Sequence, residues 1–311
     1  MNIVIVNKGL PIPAVHYGGT ERVIWGLGYE LTKMGHDVTF ITPPGSKCDF
    51  ARVIPLDENK SINELIPAET DIVHFNSFLD ESCNFPFVFT LHGNNPEEHE
   101  INPYTIYISK NQAERNGGKT FVYNGLLWED YPEVSLTKQR KYLHFLGKAR
   151  WKVKNFAGAC EIALKANEKL LVMGGKRFEW YNFKNKPFYT LNPKIQYLNF
   201  VDNSKKISII EESKGLVFPV KWHEPFGLAI IESMYAGAPV FGTEMGSLPE
   251  LVKSEVGFLS DDYDKIADVI KNSSFSAKVC HEYVVENFSA RIMAENYLKQ
   301  YEKVLNGEKL N

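Results

Sequence analysis

The sequence predicts an α/β protein made of two doubly wound domains, each a parallel β-sheet covered by helices. At 311 residues the chain is longer than a single domain with one hydrophobic core usually is, so two domains are expected. Apolar runs of strand length alternate with segments of helical periodicity from the first residues onward. One stretch, residues 215–249 (GLVFPVKWHEPFGLAIIESMYAGAPVFGTEMGSLP), predicts strand, tight loop, helix and strand. That succession is the βαβ unit of a parallel sheet.

Composition excludes several classes of protein. Hydrophobic residues make up 44% of the chain, and no run of about 18 apolar residues predicts a membrane span. The net charge of −3 gives no reason to expect a nucleic-acid partner. The four cysteines are far apart and lack CxxC spacing, so we expect reduced thiols and neither a disulfide framework nor a metal site. The start, MNIVIVNKG, lacks the positively charged region of a signal peptide, so the expected location is cytoplasmic.

The first half of the chain predicts a domain that begins with a strand, Asn2–Val6, followed by a helix over Thr20–Met34. Further strands are predicted at Asp37–Ile41, Arg52–Ile54, Asp71–Phe75, Phe87–Leu91 and Tyr104–Ile108. The connection before the first helix carries Gly18 and Gly19, where glycines let backbone amides face a phosphate. A tight turn would use the same two glycines, so the residues alone leave both interpretations open.

Polar residues follow two of these strands. His92 and Gly93 come directly after Phe87–Leu91, and Asn76 comes directly after Asp71–Phe75. Ligands of doubly wound sheets bind beyond the carboxyl ends of the strands, which makes both positions candidates. A single histidine is nevertheless more often a structural hydrogen-bonding group than a catalyst.

The second half follows a polar stretch with one proline, Trp128–Arg140, which we interpret as the linker. A strand at Tyr142–Leu146 then leads into a loop that contains Lys148 and Lys154. Two ammonium groups on a strand-to-helix loop could neutralise a diphosphate without a metal. A solvated basic loop is the plainer interpretation.

Two acids accompany the helix of the 215–249 unit, which is predicted to begin at Phe226. Glu224 falls at its N-terminus and Glu232 eight residues later, so about 12 Å of helix axis should separate them. That separation is too large for an acid–base pair acting on one atom, and it suits gripping two ends of an elongated ligand. The first-turn amides of Phe226, Gly227 and Leu228, with the helix dipole, should attract phosphate. Two isolated acids would more commonly be a first-turn acid and a solvated one.

Two further segments allow more than one interpretation. Aromatic residues crowd Arg177–Tyr189, which favours packing of a short helix on the sheet over a base or acceptor platform. Asp261, Asp262 and Asp264 have the spacing of a DxD metal site. They follow a strand and precede an amphipathic helix, so we interpret them as helix-start acids and expect no metal. A final amphipathic helix is predicted over Ala290–Leu305.

The residues around the two acids form a long composite sequence pattern. The run E-P-F-G-L-A-I-I-E, with seven residues between the acids, is followed by A-G-A-P-V and G-S-L-P-E. This long composite pattern resembles the signature of retaining family 4 (group 1) glycosyltransferases of GT-B fold. Looser matches are G-G-x-E at 18–21, H-G at 92–93, S-K-x-Q at 109–112, V-x-N-G at 122–125 and G-F-L at 257–259.

The resemblance implies a GT-B protein with two Rossmann-like domains facing a cleft. Residues 1–135 would form the acceptor-side domain, 136–288 the nucleotide-sugar donor domain, and 289–311 a helix crossing back to the first domain. It implies Glu224 and His92 as catalytic residues. The donor diphosphate and sugar would contact Gly18, Gly19, Lys148, Lys154, Phe226, Gly227 and Leu228. The ribose and base would contact Glu232, Gly174, Asn199, Phe200 and Val201.

The implied activity is metal-independent, hexosyltransferase-like transfer with retention, without a cofactor, from a UDP- or GDP-linked sugar. The acceptor would be a glycan, a lipid-linked molecule or a small molecule, and the setting bacterial-type polysaccharide or glycoconjugate synthesis. The implied location is the cytoplasm, with peripheral association with the membrane as an alternative. Two positions depart from the pattern: Lys148 stands where relatives commonly have arginine, and Asn155 where they have glycine. These departures motivate an alternative, a non-catalytic sugar-nucleotide-binding protein of the same fold. A nicotinamide-dependent oxidoreductase is disfavoured, since no GxGxxG follows the first strand.

Overall fold

The protein is described by a computed structural model that covers residues 1–14, 18–78, 82–95, 102–177 and 187–311. The chain forms two compact units. The first contains Met1–Trp128 together with Asn287–Asn311, and the second contains Glu129–Glu286. Among the described residues, no helix is both long and apolar enough to cross a membrane.

The first unit is built on a six-stranded parallel sheet. Its strands are β1 (Asn2–Val6), β2 (Asp37–Thr42), β3 (Arg52–Pro55), β4 (Ile72–Phe75), β5 (Phe87–Leu91) and β6 (Thr105–Tyr107). They lie in the order β3-β2-β1-β4-β5-β6, so the succession reverses between β1 and β4. The central strands are buried on both faces, which explains why they are continuous apolar runs in the sequence. The helices of this part are α1 (Gly19–Lys33), α2 (Ile62–Leu65) and α3 (Lys110–Arg115).

The second unit repeats this plan. Its strands are β7 (Tyr142–Leu146), β8 (Leu170–Met173), β9 (Ile195–Tyr197), β10 (Ser213–Phe218), β11 (Val240–Gly242) and β12 (Gly257–Leu259). All pair in parallel in the order β12-β11-β10-β7-β8-β9, which is the order of the first sheet read from its other end. The reversal therefore falls between β7 and β10. Two doubly wound parallel sheets confirm the predicted fold class.

Helices flank the second sheet. They are α4 (Phe156–Lys165), α5 (Pro187–Leu191), α6 (Asn203–Ile210), α7 (Leu228–Tyr235), α8 (Leu248–Leu251), α9 (Tyr263–Asn272) and α10 (Ala277–Asn287). The main core of this unit lies where α4 and α9 pack against the strands. Asp262 is the N-cap of α9, and its carboxylate accepts from the backbone N–H groups of Asp264 and Lys265. It thus serves as the helix-start acid that the sequence predicted.

The last helix, α11, spans Ala290–Leu305 as predicted and packs within the first unit. Tyr297 and Tyr301 are fully buried on its inner face. Tyr301 hydroxyl lies 2.7 Å from Nδ1 of His74, and Tyr297 hydroxyl lies 3.0 Å from Oγ1 of Thr90. Since burying a polar group requires a hydrogen-bond partner, these contacts fix how α11 sits on β4 and β5.

One predicted boundary is wrong. The sequence placed Phe226 and Gly227 in the first turn of the helix that carries Glu232, but α7 begins at Leu228. Gly227 precedes it in the left-handed conformation, with φ 92° and ψ 72°. Since a residue in that conformation cannot continue a right-handed helix, Phe226 and Glu224 lie in the loop before it. The expected distance along the helix axis therefore does not apply.

The stretch predicted as a polar linker is more ordered than its composition suggested. Tyr131 is buried and its ring packs 5.6 Å from that of Tyr235. Arg140 donates to the carbonyl groups of Ile210, Ser213, Ala236 and Gly237. One guanidinium thus satisfies carbonyls at the ends of α6 and α7, which fastens this stretch to the second unit.

Candidate functional site

The candidate site of the second unit lies where its strand order reverses. The loops after β7 and β10 begin side by side there, since these strands are neighbours in the sheet. Two bonds join the loops. Lys221 N–H donates to the Val153 carbonyl at 2.8 Å, and Asn155 Nδ2 donates to the Pro219 carbonyl at 2.8 Å. These two hydrogen bonds hold the loop after β7 and the loop after β10 together at the reversal point.

Asn155 explains one of the two departures from the family pattern. Its backbone is left-handed, with φ 50° and ψ 51°, a conformation that favours glycine and that asparagine tolerates best among the other residues. Its Oδ1 caps α4 by accepting from Gly158 N–H at 3.2 Å, and its Nδ2 also lies 2.7 Å from the Tyr263 hydroxyl. Asparagine therefore adopts the conformation that glycine would supply. Its side chain also links the start of α4 to the loop after β10 and to Tyr263 on α9.

Lys154 and Glu224 form an enclosed ion pair at this point. Lys154 Nζ donates to both carboxylate oxygens of Glu224, at 2.8 and 2.6 Å. Trp222 Nε1 also donates to Glu224, at 2.6 Å. The side chains of Lys154 and Glu224 are only 13% and 7% exposed. The structure thus brings together two residues that the sequence assigned separately to the diphosphate and to the transferred sugar.

A second loop holds Glu224 in place. Ser247 N–H donates to the Glu224 carbonyl at 3.0 Å, and Ser247 Oγ donates to the Phe226 carbonyl at 2.7 Å. Gly246 has φ 65°, and a Cβ at this position would collide with the backbone of Glu224. The G-S-L-P-E motif therefore supports the loop that carries E-P-F-G. In this chain the two motifs therefore form one hydrogen-bonded unit.

The start of α7 presents backbone N–H groups beside this pair. Gly227 is the N-cap residue, and its carbonyl accepts from Ile230 N–H at 2.9 Å. The N–H groups at the start of a helix have no partner within it and carry the positive end of the dipole. The sequence predicted that the backbone N–H groups of Phe226, Gly227 and Leu228 all belong to the first turn. Only Leu228 lies in that turn, whereas Phe226 and Gly227 lie in the loop before it.

Glu232 lies in the second turn of α7 and is held by two residues that the sequence analysis missed. Its Oε1 accepts from Tyr131 hydroxyl at 2.8 Å and from Lys206 Nζ at 2.5 Å. Lys206 is buried on α6 beside Ile207 and in line with Ile210. That helical spacing was a usable signal for an inward lysine, whereas Tyr131 was hidden in a stretch interpreted as linker.

The predicted base-side residues meet at Gly174. Its N–H donates to the Asn199 carbonyl at 2.8 Å, and its carbonyl accepts from Ala149 N–H at 3.1 Å. Its φ is 110°, and a Cβ there would collide with the Gly147 carbonyl. The loops after β7, β8 and β9 are thus fastened together at one glycine. Next to Asn199, Phe200 is 61% exposed, so its ring is accessible.

The other lysine of the loop after β7 that the sequence assigned to the diphosphate is Lys148, whose Nζ lies 4.6 Å from the centre of the Trp151 ring. Val201, in the loop before α6, is partly exposed. Residues 178–186, which are most of the aromatic segment, lie outside the described part of the chain. In the described part, no three His, Cys, Asp or Glu residues are grouped so as to hold a metal ion.

The first unit has its own reversal point, between β1 and β4. Gly18 caps α1 and Gly19 is its first residue, although residues 15–17 before them lie outside the described part. The buried carboxylate of Glu21, from the G-G-x-E motif, accepts from Leu10 N–H at 2.9 Å. A Cβ at Gly18 would lie 2.8 Å from Glu21 Oε2. Glu21 therefore ties the loop after β1 to the start of α1.

His92 follows β5 in the first unit. Its Nε2 lies 2.8 Å from Oδ1 of Asn76, which follows the adjacent strand β4. Burial lowers the pKa of His92 from 6.5 to about 4, so its imidazole is neutral at physiological pH. The two residues that the sequence placed at strand ends therefore contact each other.

Sequence comparison shows that a known protein family matches most of the second unit. The family described as "Glycosyl transferases group 1" matches residues 128–283, which is half of the 311-residue chain. An uncharacterized 42.6 kDa protein in the cps region of Klebsiella pneumoniae is 27% identical over 190 residues, covering 59% of this chain and 46% of that protein. Sucrose synthase 1 of Oryza sativa subsp. japonica is 35% identical over 80 residues, 24% of this chain and 10% of that protein. The chain thus spans less than half the length of these relatives.

Solved structures share the whole fold. AviGT4, a glycosyltransferase involved in avilamycin A biosynthesis, superposes with a TM-score of 0.83 at 21% identity, covering 100% of this chain and 99% of that one. Anabaena HepE in complex with UDP-glucose superposes with a TM-score of 0.67 at 16% identity, covering 99% and 100%. Together with the family match over the second unit, this shows that the chain belongs to the group 1 glycosyl transferases and has the GT-B fold.

Proposed function

We propose that the protein is a retaining glycosyltransferase that moves a sugar from a nucleotide-diphosphate donor to an acceptor hydroxyl. The observation that carries this proposal is the Lys154–Glu224 pair, enclosed beside the start of α7 at the reversal point of the second sheet. A buried pair of opposite charges next to the N-terminus of a helix suits a ligand that carries both negative phosphates and a developing positive charge.

The diphosphate binds in this proposal where positive groups converge. An ammonium group has three hydrogen-bond donors, and Lys154 directs two of them at Glu224, which leaves the third for a phosphate oxygen. The N–H groups at the start of α7 add donors, and Gly227 lets the ligand approach the backbone closely. Lys148 supplies a second ammonium from the same loop.

The nucleoside binds along α7 and the loops of β8 and β9. Lys206 and Tyr131 both bond to Oε1 of Glu232, so the carboxylate is fixed for ribose hydroxyls to reach Oε2. The base lies against the loops fastened at Gly174, near Asn199, Phe200 and Val201. HepE has been solved with UDP and with UDP-glucose, which supports uridine as the first base to test, and GDP-sugars as the second.

The chemistry follows from these charges. The bond between the anomeric carbon and the phosphate oxygen breaks, and the acceptor oxygen bonds to the same face of that carbon. The acceptor hydroxyl proton passes to the departing diphosphate. Glu224 stabilises the positive charge that develops on the sugar, while Lys154 and the helix amides stabilise the negative leaving group. His92, from the first unit, is proposed as the second catalytic residue on the strength of its H-G motif, and Gly18 and Gly19 as phosphate contacts.

Polysaccharide synthesis is the proposed setting, because two of the relatives are proteins of the Klebsiella pneumoniae cps region. The acceptor would be a glycan, a lipid-linked sugar or a small molecule, bound by the first unit. The alternative of a non-catalytic sugar-nucleotide-binding protein rests on the Lys148 and Asn155 departures. The conformation of Asn155 removes one of these two reasons.

The test is incubation with labelled UDP- and GDP-sugars and simple glycoside acceptors, following the released nucleotide and its base. NMR of the product should show the anomeric configuration of the donor, and turnover should persist in EDTA, since lysines and amides supply the charge. Inversion at the anomeric carbon would contradict retention. Activity that EDTA abolishes and Mn²⁺ restores would contradict the metal-independent mechanism.

A further inference from the structure

The ring of His92 has a partner with a defined orientation. Asn76 is buried, and its Oδ1 lies 2.8 Å from Nε2 of His92. Its Nδ2 lies 3.4 Å from the carbonyl oxygens of Val6 and His74, both of which can only accept. Reversing the amide would place its oxygen against two carbonyl oxygens, so the nitrogen must face them and Oδ1 must face the ring.

This orientation selects one tautomer of His92. Since Oδ1 only accepts, the hydrogen of the neutral imidazole must be on Nε2. Nδ1 is then the hydrogen-bond acceptor of the ring. A substrate hydroxyl that meets His92 can therefore donate to Nδ1.

The main chain of His92 is held as well. Gln112, from the S-K-x-Q motif, is buried on α3 and its Nε2 donates to the carbonyls of Leu91 and Gly93, at 3.0 and 2.5 Å. Its Oε1 accepts from Ile108 N–H at 2.8 Å. One side-chain amide thus clamps the carbonyls on either side of His92 to the end of β6, and its orientation is fixed by the same argument.

We propose that Asn76 and Gln112 are positioning residues for His92: Asn76 fixes the ring with its hydrogen on Nε2, and Gln112 fixes the backbone that carries it. The proposal deepens the proposed function, in which His92 is a catalytic residue. It also gives the S-K-x-Q motif a physical role, because that motif and H-G form one hydrogen-bonded unit.

The charge state of the surroundings agrees with this assignment. Among the described residues, His74 on β4 interacts electrostatically with His92, and burial lowers the pKa of His74 to about 3. Both rings are thus uncharged at neutral pH, and His92 does not supply a cation for phosphate. Its role toward a substrate is that of a neutral acceptor.

Nitrogen-15 NMR of labelled histidine reads the tautomer directly and does not depend on activity. We expect one Nε2–H tautomer for His92 in the wild type, a mixture in Asn76→Leu, and an imidazolium near neutral pH in Asn76→Asp, whose carboxylate would stabilise the charge. The matched control is Asn94→Leu, since Asn94 accepts from exposed Arg115 at 3.3 Å. A wild-type ring with its hydrogen on Nδ1, or an unchanged tautomer in Asn76→Leu, would overturn the proposal.

Kinetics give the second readout. Asn76→Leu and Gln112→Leu should lower kcat by about 10- to 100-fold, the cost of misplacing a reacting group. UDP affinity, measured by calorimetry, should stay within twofold of wild type and would also show that the variants are folded. If His92→Gln is as active as wild type, the assignment of His92 in the proposed function fails, whereas the tautomer result still decides the proposal made here.

Discussion

Lys154 and Glu224 lie seventy positions apart in the chain, and Lys154 Nζ bonds to both carboxylate oxygens of Glu224, at 2.8 and 2.6 Å. The contact arises because β7 and β10 are neighbours, so the loops that follow them meet. Each residue balances the charge of the other in a largely buried place, and removing one leaves the other uncompensated. A nucleotide-sugar donor can contact both residues at once, because its diphosphate is attracted to Lys154 and the positive charge that develops on its sugar is attracted to Glu224.

Lys154→Ala should weaken binding of UDP or GDP by about 1.5–3 kcal/mol, the contribution of a hydrogen bond to a charged group. It should also lower stability, because Glu224 would lose its buried counter-ion. Calorimetry measures the first effect and chemical denaturation the second. The control is Lys152→Ala, which removes an exposed lysine from the same loop. Nucleotide affinity equal in the two variants would contradict the placement of the diphosphate.

Lys206→Met should abolish discrimination between a nucleotide and its 2′-deoxy analogue, because Glu232 loses the partner that fixes Oε1. Wild type should bind the ribonucleotide about tenfold more tightly, as expected for one lost hydrogen bond. Lys205→Met is the control, since Lys205 is exposed on the same helix. Equal discrimination by both variants would show that Glu232 does not contact the ribose.

Gly246→Ala should destabilise the protein by more than the strain of a left-handed alanine, about 1–2 kcal/mol. Its Cβ would collide with the backbone of Glu224, so activity should fall as well. Gly117→Ala is the matched control, because Gly117 has φ 70° and no described atom within 4 Å of the Cβ position. The difference in unfolding free energy between the two variants measures crowding alone. Equal destabilisation would contradict the support that this loop gives to Glu224.

Three histidines with lowered pKa values make the stability of the protein depend on pH. Burial lowers the pKa of His74 and His144 to about 3 and of His92 to about 4, well below the unfolded value of 6.5. The unfolded chain therefore binds more protons below pH 6.5, and stability should fall by about 1.4 kcal/mol per pH unit for each such histidine as pH drops from 6.5 toward 4. Urea denaturation at pH 7.5 and 5.5 measures this. His144→Gln should make the unfolding free energy of the second unit depend less steeply on pH. Equal stability at both pH values would contradict the lowered pKa values of the three histidines.

The two parallel sheets could be predicted from the sequence because buried strands are continuous apolar runs bounded by glycine and polar residues. The strand ends then indicated His92 and Asn76, since ligands gather at that edge. Lys154 was indicated by its place in a strand-to-helix loop, and Glu224 by the composite motif around it. Local propensity was sufficient for the N-cap role of Asp262.

The contacts of the site could not be predicted in the same way, because they join distant segments. Nothing local to Tyr131 or Lys206 shows that both bond to Glu232. The start of α7 was misplaced because Gly227 is equally compatible with a helix and with the left-handed turn that it adopts. Asn155 was judged a departure because its backbone conformation is not visible in the sequence.

The central claim is that the Lys154–Glu224 pair serves sugar transfer and not nucleotide binding alone. The most direct test compares wild type with Glu224→Gln for nucleotide affinity and for nucleotide release from the UDP- and GDP-sugar panel. We predict that wild type releases nucleotide from at least one donor in the presence of an acceptor. Glu224→Gln should bind nucleotide with similar affinity and release it at least about 100-fold more slowly, since it loses the charge that stabilises the transition state. Binding of nucleotide by wild type without release from any donor, or equal release by the two proteins, would contradict the account.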